Sequence, residues 1–309
     1  MNDRIDVHHH LLPVDYVRWL HTQGVTDAGG WQLPAWSVQR ALDAMDQHGI
    51  SAAVLSLSAP GVHLGDAPAA ATWARRVNEI AAECVKDHPD RFGFFATLTL
   101  PDTDGALDAA GYAFDELSAD GIVLLANSRG GYLGSPGFDP LMAELDRRGA
   151  VVFVHPTELP GPAVPGIPPF AADFLLDTTR AAFNLVRHDV PDRYPGIRFI
   201  LAHAGGFLPY AVHRLALTIA EATHRDLPRV LDAFRSFYFD TALSSSPVTL
   251  PSLLAFAKPG HVLYGSDWPY APDFVITHFT THLDSYPLTP DQHRDIAHRS
   301  AHQLFPRFA

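Results

Sequence analysis

The sequence predicts an α/β fold, a (β/α)8 or TIM barrel, as a single domain over residues 1–309 with loop insertions above its C-terminal face. Three observations predict it. Eight short runs rich in Val, Ile, Leu and Phe recur at 4–8, 52–58, 92–98, 121–126, 151–155, 197–203, 236–241 and 261–266. Helical patterns separate them, the alternation that builds a parallel sheet buried on both faces. Several runs lead into His or Asp, at the strand end where barrels of this architecture place functional groups.

Taken in order, the first strand runs through IDVHHH and ends on His8, His9 and His10. Residues 11–36 follow as a long loop with Gly29, Gly30, Trp31, Pro34 and Trp36. A helix is expected over 37–48, capped by Ser37, with Val38, Ala41, Leu42 and Met45 as its apolar stripe and Gly49 as its stop. A second is expected over 104–117, with Asp104 as cap and Leu107, Ala110, Phe114 and Leu117 inward. A third is expected over 138–148, with Leu141, Met142 and Leu145 inward and Gly149 at its end. The fifth strand ends on His155, and the loop 156–169 after it carries six prolines. Long loops at this end of a barrel wall the active site. The sixth strand ends on His203 and the last on Asp267.

Composition excludes several classes. Hydrophobic residues make up 47% and charged residues 18%, enough for a full core. A formal net charge of -12 argues against a non-specific nucleic-acid binder. Only Lys86 and Lys258 occur as lysines, and neither ends a strand. That argues against a Schiff-base lysine or a lysine carbamate bridging two metals. The single cysteine, Cys84, is expected to pack in a helix. No apolar run approaches a membrane span, and a strand beginning within four residues of Met1 leaves no room for a signal peptide, so a cytoplasmic location is expected. A phosphate-cradling glycine fingerprint and a Gly-x-Ser-x-Gly elbow are both missing.

Strand side chains alternate, so His8 and His10 share a face and His9 points away. Two imidazoles side by side, a third from across the barrel and a carboxylate suit a divalent metal. His9 reads as a packed or hydrogen-bonded core residue, and Asp6 equally as a structural group or as one that could orient a ligand histidine. His21, His48, His63 and His298 read as solvated. Trp31, Trp36, Phe153 and Trp268 are candidates for a flat apolar pocket.

The runs IDVHHH, GWQLPAWS, LSLSAPG, RFGFFATL, GAVVFVHPT, LAHAGGFLPY, FYFDTALSSSPVTL and GHVLYGSDWP cover almost the whole chain. At these motifs the sequence resembles the decarboxylase branch of the amidohydrolase superfamily, which includes aminocarboxymuconate-semialdehyde decarboxylase and decarboxylases of hydroxylated benzoates. Within the branch it looks most like the 6-methylsalicylate decarboxylases. The resemblance implies His8, His10, His155 and Asp267 as metal ligands and His203 as a catalytic group beside them. It implies Arg214 as the holder of a substrate carboxylate, reaching across a homodimer interface in relatives. One departure stands out. Where the aminocarboxymuconate enzyme has a second carboxylate-binding arginine, this chain has Ala41, with Arg40 one step away, so a monocarboxylate is expected.

Such an enzyme removes carbon dioxide from a small aromatic hydroxy acid. It needs a Lewis acid for the phenolic oxygen and carboxylate and a proton donor over the ring, with Asp267 and His203 as rival donors. Three neutral histidines and one carboxylate leave a divalent ion with a net positive charge that attracts the acid. Zinc is the expected ion, with manganese as the alternative. The same ligand set would also serve a hydrolase, such as a lactonase or amidohydrolase, or a non-catalytic metal-binding module.

Overall fold

The computed structural model describes residues 3–309. Its main sheet has eight parallel strands in sequential order. They are β1 (Arg4–His10), β2 (Ile50–Ser56), β3 (Phe92–Thr97), β4 (Gly121–Leu125), β5 (Val151–His155), β6 (Arg198–Leu201), β7 (Tyr238–Asp240) and β8 (Val262–Leu263). The principal helices after them are α1 (Val38–His48), α2 (Ala67–Asp87), α3 (Thr103–Asp115), α4 (Asp139–Arg147), α5 (Pro169–Arg187), α6 (Leu208–Thr223), α7 (Thr249–Phe256) and α8 (Asp273–Ser285). This is the TIM barrel the alternation predicts.

Local chemistry sets the boundaries. Ser37 caps α1 by accepting from the Arg40 N–H, and Gly49 ends it at φ +68°. The cap of α3 is Asp102 rather than Asp104, because the helix starts one residue earlier and the Asp102 side chain accepts from the Gly105 N–H. The last three strands are shorter than their apolar runs. His203 lies in a tight turn beyond β6, and Asp267 lies four residues beyond Leu263.

Barrel closure therefore depends on more than a strand ladder. Val7 donates to the Tyr264 carbonyl at 3.1 Å, Asp267 to His8 at 2.8 Å and His10 to Trp268 at 2.7 Å. The buried Asp6 carboxylate accepts from the Ser266 N–H at 3.0 Å, the Ser266 hydroxyl at 2.5 Å and the His8 N–H at 3.0 Å. Asp6 thus joins the first strand to the segment that follows the last. It touches the His9 ring at 2.9 Å and not the ring of His8 or His10. His9 stacks on Trp268, as a core residue should.

Inside the barrel an aromatic column rises to the site. Phe305 meets Phe95 at 5.7 Å, Phe95 stacks on Phe153 at 5.4 Å, and Phe153 supports His8 at 4.9 Å. Outside it, the larger apolar layer between sheet and helices holds Cys84 and Ala41. Arg40 faces solvent. His48 is buried against Asp273 and His63 is half-buried, because their helix and loop fold back onto the barrel rather than into water.

Candidate active site

His8, His10, His155 and Asp267 converge, each buried and each offering one donor atom within 4.8 Å of the others. The parity argument for His8 and His10 holds although a register shift interrupts β1 between Asp6 and His9. Their Nε2 atoms stand 3.0 Å apart, and Asp267 Oδ1 lies 3.2 Å from one and 3.1 Å from the other.

Each imidazole is anchored through its opposite nitrogen. His8 Nδ1 lies 2.8 Å from Asp240 Oδ2, His10 Nδ1 lies 3.1 Å from the Ser56 carbonyl, and His155 Nδ1 lies 2.7 Å from the Pro156 carbonyl. A carbonyl or carboxylate at Nδ1 fixes the proton there and leaves Nε2 as a lone-pair donor. The donor set and its roughly 3 Å spacing fit one small divalent cation.

Electrostatics point the same way. Burial alone would lower the His8 pKa, but Asp240 and Asp267 outweigh it and raise it to about 10. Burial lowers His10, His155 and His203, with neighbouring imidazoles adding to the effect. Burial would raise Asp267, yet the surrounding histidines hold it well below the usual carboxylate range. Two buried carboxylates around His8 thus call for a positive charge, supplied by a proton or by a metal ion.

His203 stands with its ring centroid 4.8 Å from that of His8, its Nδ1 3.2 Å from the Ala242 carbonyl. Both His203 and Asp267 adopt left-handed backbone, at φ +54° and +63°. Such strain is held in place where geometry serves a site. Above them lies a cavity of about 160 Å³ lined by Trp31, Phe170, Phe174, Leu243, Tyr270 and Val275, together with His155, His203 and Asp267. No lysine or arginine lines it among the described residues. Residues 11–36, expected as a loop, instead fold into a helix at Val14–Thr22 and a short hairpin pairing Asp27–Ala28 with Trp31–Gln32, and this segment and the 156–169 loop clasp each other over the cavity. Phe170 donates to the Gly29 carbonyl at 3.0 Å, and Trp31 packs edge-on against Phe170.

Of the four aromatic candidates, Trp31 lines this cavity. Phe153 supports His8 from below, and Trp36 and Trp268 are buried in packing. Arg214 is exposed on α6, on a separate groove with Arg180 and Arg187. Sequence reasoning missed Asp240 and Tyr270. Both were legible only as a strand-end acid in FYFD and as the residue after the DWP run.

A buried three-histidine, one-carboxylate centre at the mouth of a (β/α)8 barrel defines a metal-dependent enzyme. Residues 5–307 match the family described as amidohydrolase, and the chain belongs to that family. It is 41% identical to the 6-methylsalicylic acid decarboxylase of Penicillium expansum over 314 residues, covering 98% of this chain and 96% of that protein. A crystal structure of an amidohydrolase II superposes with TM-score 0.93 at 33% identity, covering 98% of this chain and 99% of the other. The dihydroxybenzoic acid decarboxylase from Polaromonas sp. JS666, solved with manganese and 2-nitroresorcinol, shares the fold at TM-score 0.80 and 24% identity, over 99% and 97% of the two chains.

Proposed function

We propose that residues 1–309 form one catalytic unit, a metal-dependent, non-oxidative decarboxylase of a small aromatic hydroxy acid, with 6-methylsalicylate or a near analogue as substrate. The carrying observation is the pairing of the buried His8, His10, His155 and Asp267 cluster with an apolar, aromatic-walled cavity that, among the described residues, no lysine or arginine lines. Such a cavity suits a ring with one carboxylate and an alkyl substituent better than a diacid.

His8, His10, His155 and Asp267 would hold a divalent ion, which when bound would supply Lewis acidity toward the substrate's carboxylate and ortho oxygen. The aromatic walls orient the ring and exclude water. The ring carbon that bears the carboxylate takes a proton. Its bond to the carboxyl carbon then breaks, carbon dioxide leaves, and the bonding electrons restore the aromatic ring. His203 and Asp267 both line the cavity, and we assign proton delivery to this pair. Burial lowers His203 and the surrounding histidines lower Asp267, so each, once protonated, gives up its proton more readily than usual.

The imidazole-rich set suits zinc, and a structural relative holds manganese. A cytoplasmic homodimer completes the reading. Phe207 at the cap of α6 and Tyr210, Arg214 and Leu217 along it follow one another at helical spacing, and Tyr210 is 91% exposed. A second copy seated there would bury this stripe and carry Arg214 toward a neighbouring cavity.

The test incubates metal-replete protein with 6-methylsalicylate, 2,6-dihydroxybenzoate and related acids and follows carbon dioxide by mass spectrometry. Release that stops on metal stripping and returns with zinc or manganese is expected. Metal-loaded protein inert toward every aryl acid but active on a lactone would replace this reading with a hydrolase.

A further inference from the structure

A second cavity, of about 510 Å³, opens in the same barrel mouth around the ends of β2 to β5. The turn 58–61 divides it from the metal cavity: Ser58 lines one, and Pro60 and Gly61 line the other. The end of β5 is shared in the same way, with His155 on the metal side and Thr157 and Glu158 on the other. Leu57, Leu98, Val123 and Leu125 give the second cavity apolar walls.

Its polar lining carries an unpaired positive charge. Arg129, on the hairpin of Asn127–Ser128 and Gly131–Tyr132, lines it at φ +51°. No carboxylate pairs with Arg129 among the described residues, although 34 acidic residues outnumber 22 basic ones in the chain. Among the described residues, Glu158 is the only carboxylate in the wall.

We infer that this cavity binds a second small aromatic monocarboxylate, with its carboxylate on Arg129 and its ring against Leu98, Val123 and Leu125. The site is separate from the metal and does not depend on which reaction the metal centre performs. Its occupant is either the enzyme's own acid at high concentration or another aryl acid. If it is the former, turnover of the wild type departs from simple saturation at high acid concentration and Arg129→Ala restores the simple curve.

Calorimetric titration of the metal-replete protein with benzoate tests the site, because benzoate carries the ring and the carboxylate but no ortho hydroxyl. A charge-assisted contact predicts that Arg129→Ala weakens one class of benzoate site by about tenfold or more. Glu158→Gln should strengthen the same class, Trp31→Ala should leave it unchanged, and benzyl alcohol should not displace benzoate from it. Arg129 is exposed, so its replacement leaves the fold intact, as an unchanged melting temperature would verify. Equal benzoate isotherms for wild type and Arg129→Ala, or equal displacement by benzyl alcohol, would overturn the assignment.

Discussion

Asp240 reaches two histidines at once. Its Oδ2 lies 2.8 Å from His8 Nδ1, and its Oδ1 accepts the backbone N–H of His203 at 2.9 Å and of Ala242 at 3.0 Å. One fully buried carboxylate thus aims a metal-site imidazole and fixes the strained turn that carries the cavity histidine. Replacing it with asparagine preserves shape but removes the charge that holds the His8 Nδ1 proton. Asp240→Asn should weaken metal binding about 10- to 100-fold, measured by chelator competition. Unchanged affinity in a folded variant would remove Asp240 from this orienting role.

Asp267 has a different test. If the Asp267 carboxylate serves both as a donor atom to the ion and as a proton carrier, as proposed, Asp267→Asn should abolish turnover even in molecules that keep the ion. Metal content and activity measured on one sample separate the two losses. Full activity at full occupancy would contradict the proton-carrying role.

Removing the metal should lower stability as well as activity. A ligand that binds only the folded state adds about 2.7 kcal/mol at a free concentration one hundred times its Kd. Differential scanning calorimetry should show a melting point several degrees lower after chelation, restored by zinc or manganese.

Trp31 is partly exposed and touches Phe170 at 5.0 Å, so its loss should leave the barrel intact. Trp31→Ala should raise KM about tenfold and change kcat less, as expected for a wall that gathers the ring. A kcat loss with KM unchanged would place Trp31 in the chemical step.

Cys84 gives a pH prediction with a definite sign. Burial, with Glu83 and Asp87 adding to it, pushes the thiol up to about 11. Only the thiolate reacts, so a raised pKa means less reactive form at any lower pH. Ellman's reagent at pH 8 should label the native protein far more slowly than the unfolded chain, and native labelling should accelerate as pH rises toward 11.

Much of this was legible in the chain because strand parity and strand-end placement are local. His8 and His10 fall on one face by counting residues, and His155 ends its strand as its run implies. The exact setting of His203 and Asp267 was not legible. Their backbones turn left-handed after strands that stop early, and only the finished barrel holds them there. Parity leaves Asp6 equally open to a structural role and to orienting a ligand histidine. The structure uses Asp240, because the twist of the barrel brings the end of β7 beside His8 and commits Asp6 to Ser266. Lid contacts such as Phe170 to Gly29 join segments far apart in sequence, which no local pattern encodes.

The short β8 has a further consequence. With only Val262 and Leu263 in the ladder, the ring is fastened where the chain's beginning meets its end by the Asp6–Ser266 clasp and the His8, His10 and Asp267 contacts. A cation shared by His8, His10 and Asp267 would act there as a rivet through two overlapping plates. Catalyst and fastener would be the same part, so damage at the seam and loss of the ion should lead to one common failure: a barrel that comes open along one edge.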